Sequence, residues 1–360
     1  DEHDVWVRLE TIRSGVHFSL GDLEACLEST RRALVHSRSA GSPRSEAQAL
    51  GTLGDAEYQR GRVARAERHF DACVRLAETH GMERLAVAHL GMRGLTRFYR
   101  MRISEGLSDA SDAARRAAAH GHLRAEMVAR NIAAGIELEA GRFEEALASA
   151  RRSLDLARRL DSRLFEAENL NLEAQVLGAV ADRAEACELA RRAWEISRAA
   201  GPSFSGPWIL ANLARLTGDD GERRRALVEG ERLLADGGSC HATLHYRQLA
   251  ILGALEGRRW RQAQHHAKAL ARYRGDEPFE LAELLVELGR AVEGRDAGDR
   301  ARNLEELRRR MGREMYEVTR RVLADLADAE LERRAVEVFL SRLDELDPSV
   351  RDEFREAVGD

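Results

Sequence analysis

The sequence predicts an all-α protein: a right-handed superhelix (an α-solenoid) of about seven helix-turn-helix repeats with a C-terminal helical cap. Three observations carry that prediction. First, glycines recur every forty residues: Gly21, Gly61, Gly141 and Gly221 share one phase, and Met101 and Ala181 fill its two remaining beats. A second comb lies twenty residues later, at Gly41, Gly81, Gly121 and Gly201, with Asp161 standing in once. Internal periods of this length mean stacked supersecondary units, not one globular core. Second, small residues follow the first comb by five positions: Cys26, Ala66, Gly106, Ala146, Ala186 and Ala226. Third, Ala, Leu, Arg and Glu dominate while prolines and aromatics are few, the profile of a helical chain.

Each unit reads as two antiparallel helices. In the second, Ala47, Leu50, Leu53, Gly54 and Tyr58 mark a helix closed by Gly61. Val63, Ala66, Phe70, Cys73, Val74 and Ala77 then recur at three- and four-residue steps, one face of a helix, which Gly81 ends. Small side chains at the fixed phase let neighbouring helices approach closely, and a large residue there would overpack the contact. The units are expected to turn near residues 21, 61, 101, 141, 181, 221 and 257, giving an array over 1–294. The sixth is irregular, with Gly237 and Gly238 inside its connection, and the seventh turns early at Gly257. Beyond Pro278 the beat dissolves into Leu-rich helices, so residues 295–360 read as the cap or extension. A coiled-coil arm is the alternative there, although no strict heptad persists.

Leu50, Leu53, Gly54 and Glu57, followed by Ala66 and Phe70, form a pattern that resembles the tetratricopeptide repeat, with Leu in place of its Trp and Glu in place of its Tyr. Later units keep the small pair: Gly94 with Gly106, Ala134 with Ala146, Ala174 with Ala186. The forty-residue variant resembles repeats of large bacterial signalling proteins in which an array follows an ATPase module. A narrower stretch is similar to the C-terminal repeats of bacterial class III adenylate/guanylate cyclases fused to an AAA-type ATPase. It comprises Gly201 to Trp208, Thr217 to Asp220, Arg225 to Glu231, and Cys240-His241 through His245-Tyr246-Arg247. The cyclase and ATPase chemistry itself is absent from this chain.

The first helix of each tetratricopeptide unit lines the concave side, and the resemblance transfers that role here. Its inward phases hold Asn131 and Asn171, one repeat apart, with Asp55, Tyr99, Glu139, Gln175 and Arg215 nearby. Asn can donate to and accept from an extended backbone, and Arg can grip a carboxylate through two bonds. The plainer reading is that the two asparagines satisfy neighbouring turns or water. Arg130 breaks an otherwise apolar phase shared by Leu50, Leu90, Leu170 and Leu210.

No phosphate-binding loop, dinucleotide fingerprint, zinc-protease motif or nucleophile elbow occurs, so the sequence predicts no catalysis and no cofactor. Cys240, His241 and His245 tempt a metal assignment, because the histidines share a helical face. No further ligand lies at suitable spacing, and His265-His266 would complete a site only if folding brought them together, so no metal is expected and the cluster reads as a packing or pocket feature. The other cysteines, Cys26, Cys73 and Cys187, sit on small-residue beats and read as buried fillers. Net charge is −5, and acidic residues interleave with the arginines, which argues against a nucleic-acid partner. No apolar run is long enough for a membrane helix, and Asp1-Glu2-His3-Asp4 is no signal peptide. The missing initiator Met points to a fragment of a longer polypeptide, and the cytoplasm is the expected compartment.

The leading expectation is thus a non-enzymatic regulatory scaffold that binds a protein segment or small effector and relays this to a fused or associated ATPase or cyclase. A free-standing adaptor, or the effector-binding region of a transcription activator, are the alternatives.

Overall fold

In the computed structural model, fifteen helices and no strands occur among the described residues, which are 2–19, 22–180, 183–274, 277–292, 299–300, 302–303 and 306–307. The helices form seven antiparallel pairs: α1 (Glu2–Ser19) with α2 (Leu23–Ser39), α3 (Pro43–Gln59) with α4 (Val63–Thr79), α5 (Glu83–Tyr99) with α6 (Ile103–Ala119), and α7 (Leu123–Glu139) with α8 (Phe143–Arg159). Then come α9 (Arg163–Val180) with α10 (Arg183–Ala200), α11 (Gly206–Leu216) with α12 (Asp220–Ala235), and α13 (Cys240–Glu256) with α14 (Trp260–Arg274); a last helix, α15 (Glu280–Ala291), packs on α14. First helices also touch the first helices of adjoining pairs, so α3, α5, α7, α9 and α11 make one continuous inner layer, with α13 packed on α11. This is a tetratricopeptide-like α-solenoid.

Hydrogen bonding explains the comb. After α4, the Met82 amide donates to the Ala77 carbonyl at 2.8 Å and the Gly81 amide to Glu78, the paired closure that requires a left-handed residue between them. The same pair of bonds recurs around Gly61, Gly121 and Gly141, all with φ near +70°. Met101 and Asp161 take that conformation too, with φ of 59° and 50°, so two non-glycine beats bear the cost of an L-residue there. Leu20, Gly21, Ala181 and Asp182 lie outside the described residues. The last two beats are shifted. Gly221 lies inside α12, because α11 stops at Leu216 and the turn falls at Thr217–Asp219, where the Asp219 carboxylate caps α12. In the seventh pair the left-handed residue is Arg258, at φ 52°, and Gly257 is right-handed.

The small phase does the packing work expected of it. A Cβ on Gly94 would lie 2.6 Å from the Gly106 carbonyl oxygen, and one on Gly106 would lie 2.7 Å from that of Gly94. The backbones of α5 and α6 therefore meet directly. In the preceding pair Gly54 gives its place to the Phe70 ring, which is fully buried. Beyond 294, only isolated residues are described, so the cap or coiled-coil reading of 295–360 lies essentially outside the described residues.

The solenoid does not stay open. α13 returns across the inner layer to touch α3, and α15 touches α5. Ion pairs at the seam join Arg62 to Glu277 and Arg100 to Glu280, the latter at 3.0 Å. The Phe279 ring sits 5.6 Å from that of Tyr99.

Candidate ligand site on the concave face

α13 is polar where it lies over the inner layer, and each polar group meets a residue from a distant repeat. The Tyr58 hydroxyl of α3 hydrogen-bonds His241 Nδ1 at 3.1 Å, and the Tyr99 hydroxyl of α5 hydrogen-bonds His245 Nε2 at 2.9 Å. Gln248 Nε2 donates to Glu139 Oε1 of α7 at 2.7 Å. The side chains four or three apart on one helical face thus reach three successive repeats. Aromatic rings box the histidines: Phe204 stacks on His241 at 4.8 Å and Trp208 lies 4.9 Å from His245. The sharp turn and short helix of Gly201–Trp208 place both rings.

Burial disfavours charge along this seam. It pushes the His241 imidazole well below its usual range, with His245 adding to the effect, and takes His245 down to about 4. It pushes the Glu168 carboxyl up to about 8, and Glu139 up to about 7 against the opposing pull of Arg215 and Gln248. At neutral pH both histidines are neutral and Glu168 is a carboxylic acid. His241 Nε2 faces Glu168 Oε1 at 4.0 Å, too far for a hydrogen bond, and both atoms are buried without a partner among the described residues.

A cavity of about 50 Å³ remains beneath α13, bounded by Asn131, Glu139, Gln175, Trp208, His241 and His245 together with apolar side chains of α5, α7 and α9. That is room for a few waters. Three of the seven sequence-derived candidates line it, Asn131, Glu139 and Gln175, and Tyr99 adjoins it through His245. Asn171 is fully buried between α9 and α11, where its Oδ1 accepts from Asn212 Nδ2 at 2.9 Å; its own Nδ2 has no partner among the described residues. Arg215 pairs with Glu256 at the α11–α13 edge. Asp55 is half-buried on α3, its carboxyl pushed up to about 7 by burial, and does not line the cavity. Arg130 is half-buried with an unpartnered Nε.

Cys240, His241 and His245 do not converge as a three-ligand group among the described residues. The Cys240 sulfur sits by the Gly61 turn, and burial pushes its thiol up to about 12. His265 and His266 come together instead with Glu231. There Arg247 binds both Glu231 oxygens and contacts His266 Nδ1 at 2.9 Å, so a guanidinium already holds the position a cation would need. Tyr58, Glu168, Phe204, Trp208 and Gln248 were not singled out as site residues from sequence. For Tyr58, Glu168 and Gln248 the local sign was a polar or aromatic residue on a helix, and Phe204 and Trp208 lay in the Gly201 to Trp208 segment already singled out.

The chain is similar to solved Rap proteins. A Rap protein complexed with competence and sporulation factor matches over 92% of this chain and 97% of its own length, with 14% identity and a TM-score of 0.58. The apo form of RapI matches over 66% of this chain and 86% of its own, with 14% identity and a TM-score of 0.56. At that identity the Rap likeness is one of fold. Among curated proteins, ATP synthase subunit b 2 of Syntrophus aciditrophicus (strain SB) is 37% identical over 62 residues, 17% of this chain. The chain spans 23% of that relative's length. No family model matches the sequence. No helix among the described residues is long and apolar enough to cross a membrane.

Proposed function

We propose that the chain is a non-catalytic, cytoplasmic interaction module that takes a peptide or protein segment on its concave face. The observation that carries this reading is the unfinished polar seam of the inner layer. Glu168 Oε1 and His241 Nε2 under α13, and Asn171 Nδ2 and Asn212 Oδ1 between α9 and α11, are buried without partners among the described residues. Each such group costs about 1–3 kcal/mol, and native interiors leave few of them. An extended segment entering as α13 lifts would offer amide donors and carbonyl acceptors to these atoms, and to the amides of Asn131 and Gln175. The Rap neighbour solved with a bound factor supports a ligand-taking role for this fold. A small effector filling the cavity alone is the narrower version, limited by its volume of about 50 Å³.

The test is selection of random decapeptides on the wild-type chain, followed by titration monitored through Trp208 emission with Trp208→Phe as control. We expect binders whose affinity falls by about tenfold or more, a loss of at least 1.4 kcal/mol, in Asn131→Ala/Gln175→Ala, at an unchanged melting temperature. Equal affinity in that variant would overturn the reading.

The finer reading is that occupancy is relayed to a fused or associated ATPase or adenylate/guanylate cyclase. It rests on the Gly201 to Arg247 resemblance. Sequencing the gene and its neighbours tests it; absence of both a nucleotide-binding module and a cyclase domain would sink it, and leave the free-standing adaptor.

A further inference from the structure

α13 leaves part of the inner layer uncovered. On α7 one stripe of side chains runs through Arg124, Val128, Asn131, Gly135 and Leu138 at three- and four-residue steps. Its C-terminal part bounds the small cavity beneath α13, and its N-terminal part bounds an open groove of about 1120 Å³ that crosses the first turns of α3, α5 and α7. Arg44, Arg84 and Arg124 line that groove, forty residues apart, each exposed and each the second residue of its helix.

Several arginines of these repeats are engaged by carboxylates. Arg93 is held by Asp109 and Asp71, and Arg116 by Glu78 and Glu83. Arg44, Arg84 and Arg124 form no ion pair among the described residues. The carboxylate in the groove's lining, Glu83, is the one already bound by Arg116. The groove therefore presents three uncompensated guanidinium groups in a row, reinforced by the positive ends of three helices. Met82, Leu85, Leu123 and Val128 give it an apolar floor between them.

We infer that this groove binds an extended acidic protein segment carrying a carboxylate at every third position. Arg44, Arg84 and Arg124 occupy equivalent positions on first helices that touch one another, and a helix separation of about 8–10 Å gives their spacing. A polyproline-II strand returns to the same face every third residue, after about 9 Å. Carboxylates at i, i+3 and i+6 thus meet Arg44, Arg84 and Arg124 in register, each open to a bidentate grip. Small apolar residues between them face the floor. A single-stranded nucleic acid fits less well: no Phe, Tyr or Trp lines the groove among the described residues to stack bases, and the whole chain carries a net charge of −5. The surface is separate from the cavity beneath α13, and the inference stands without it.

The test uses a fluorescein-labelled nonapeptide with Glu at positions one, four and seven and Pro or Ala elsewhere, followed by anisotropy at low salt. We expect Arg84→Ala to weaken binding by about tenfold and the triple Arg44→Ala/Arg84→Ala/Arg124→Ala variant by about a hundredfold or more, at unchanged melting temperatures. Binding should weaken steeply with added salt and vanish when the three Glu are Gln. Asn131→Ala/Gln175→Ala should bind the acidic peptide as wild type does, which separates this groove from the cavity. Wild-type affinity in the triple variant, equal affinity for the Gln peptide, or tighter binding of a uridine dodecamer would each overturn the inference.

Discussion

Glu168→Gln should stabilise this protein, and by more as the pH rises. Glu168 is 2% exposed, and burial takes its carboxyl from 4.5 up to about 8. Between those values the folded chain keeps a proton that the unfolded chain has released. Stability therefore falls as pH rises through that window, by about 1.4 kcal/mol per unit, and the loss is complete above the folded pKa. Glutamine is nearly isosteric with the protonated acid and does not titrate, so the variant escapes the loss. Its amide can also turn toward the unpartnered His241 Nε2, now 4.0 Å from Glu168 Oε1. Urea denaturation at pH 5.5, 7.0 and 8.5 should show the variant more stable by about 1, 3 and 5 kcal/mol. If instead Glu168 and His241 ionise together, the variant breaks a buried ion pair. It would then be less stable than wild type at pH 7, and that result would refute the neutral-seam argument.

His245 gives the mirror-image case: its imidazole drops from 6.5 to about 4, so the folded state resists a proton that the unfolded state accepts, and stability is lost as pH falls through that range. Relative to wild type, His245→Gln should gain about 3 kcal/mol between pH 6.5 and 4, read by urea titration; a pH-independent difference would show the ring is not held neutral. Gly94→Ala should cost about 1–3 kcal/mol, because its Cβ meets a backbone oxygen at 2.6 Å that cannot yield. Gly135→Ala, also in a helix but with nothing within 4 Å, should gain about 0.5–1 kcal/mol, and equal melting shifts for the two would discredit the close-approach account.

Much of the fold was legible because it is local. The comb marks residues whose amides close helix ends, and that chemistry repeats within each pair regardless of the rest. Met101 and Asp161 show that the position, with its left-handed backbone, is what repeats, and glycine is only its cheapest occupant. The repeat resemblance put Asn131 and Asn171 on inward phases with Asp55, Tyr99, Glu139, Gln175 and Arg215 nearby, and of these Asn131, Glu139 and Gln175 line the cavity. What the resemblance could not reveal is what faces them. Tyr58 meets His241 across 183 positions and Tyr99 meets His245 across 146. Those meetings depend on many small rotations between successive pairs, summed around the solenoid. For the same reason a packing or pocket role for His241 and His245 could be read from sequence, but not the tyrosines on which each ring spends a nitrogen.

The places where the comb fails are also those that let the solenoid close. α11 has 11 residues where the other first helices of the array have about 17, so α13 comes within packing distance of α11 itself. Gly237, at φ 128°, adopts a backbone open to glycine alone and redirects the chain out of α12. Gly230 then leaves room for the Tyr246 ring, which would lie 2.3 Å from a Cβ there. That ring, anchored by its hydroxyl to the Leu227 carbonyl at 2.8 Å, fixes the rotation of α13 about its axis. With Tyr246 held toward α12, His241, His245 and Gln248 are turned to the inner layer, since at 3.6 residues per turn they lie about 100–160° around the helix from it. Restoring the regular register here would take the polar face of α13 off the inner layer and leave Tyr58, Tyr99 and Glu139 without the partners they have. The irregular repeat is thus the structural cause of the closed part of the concave face, and of the open groove left beside it.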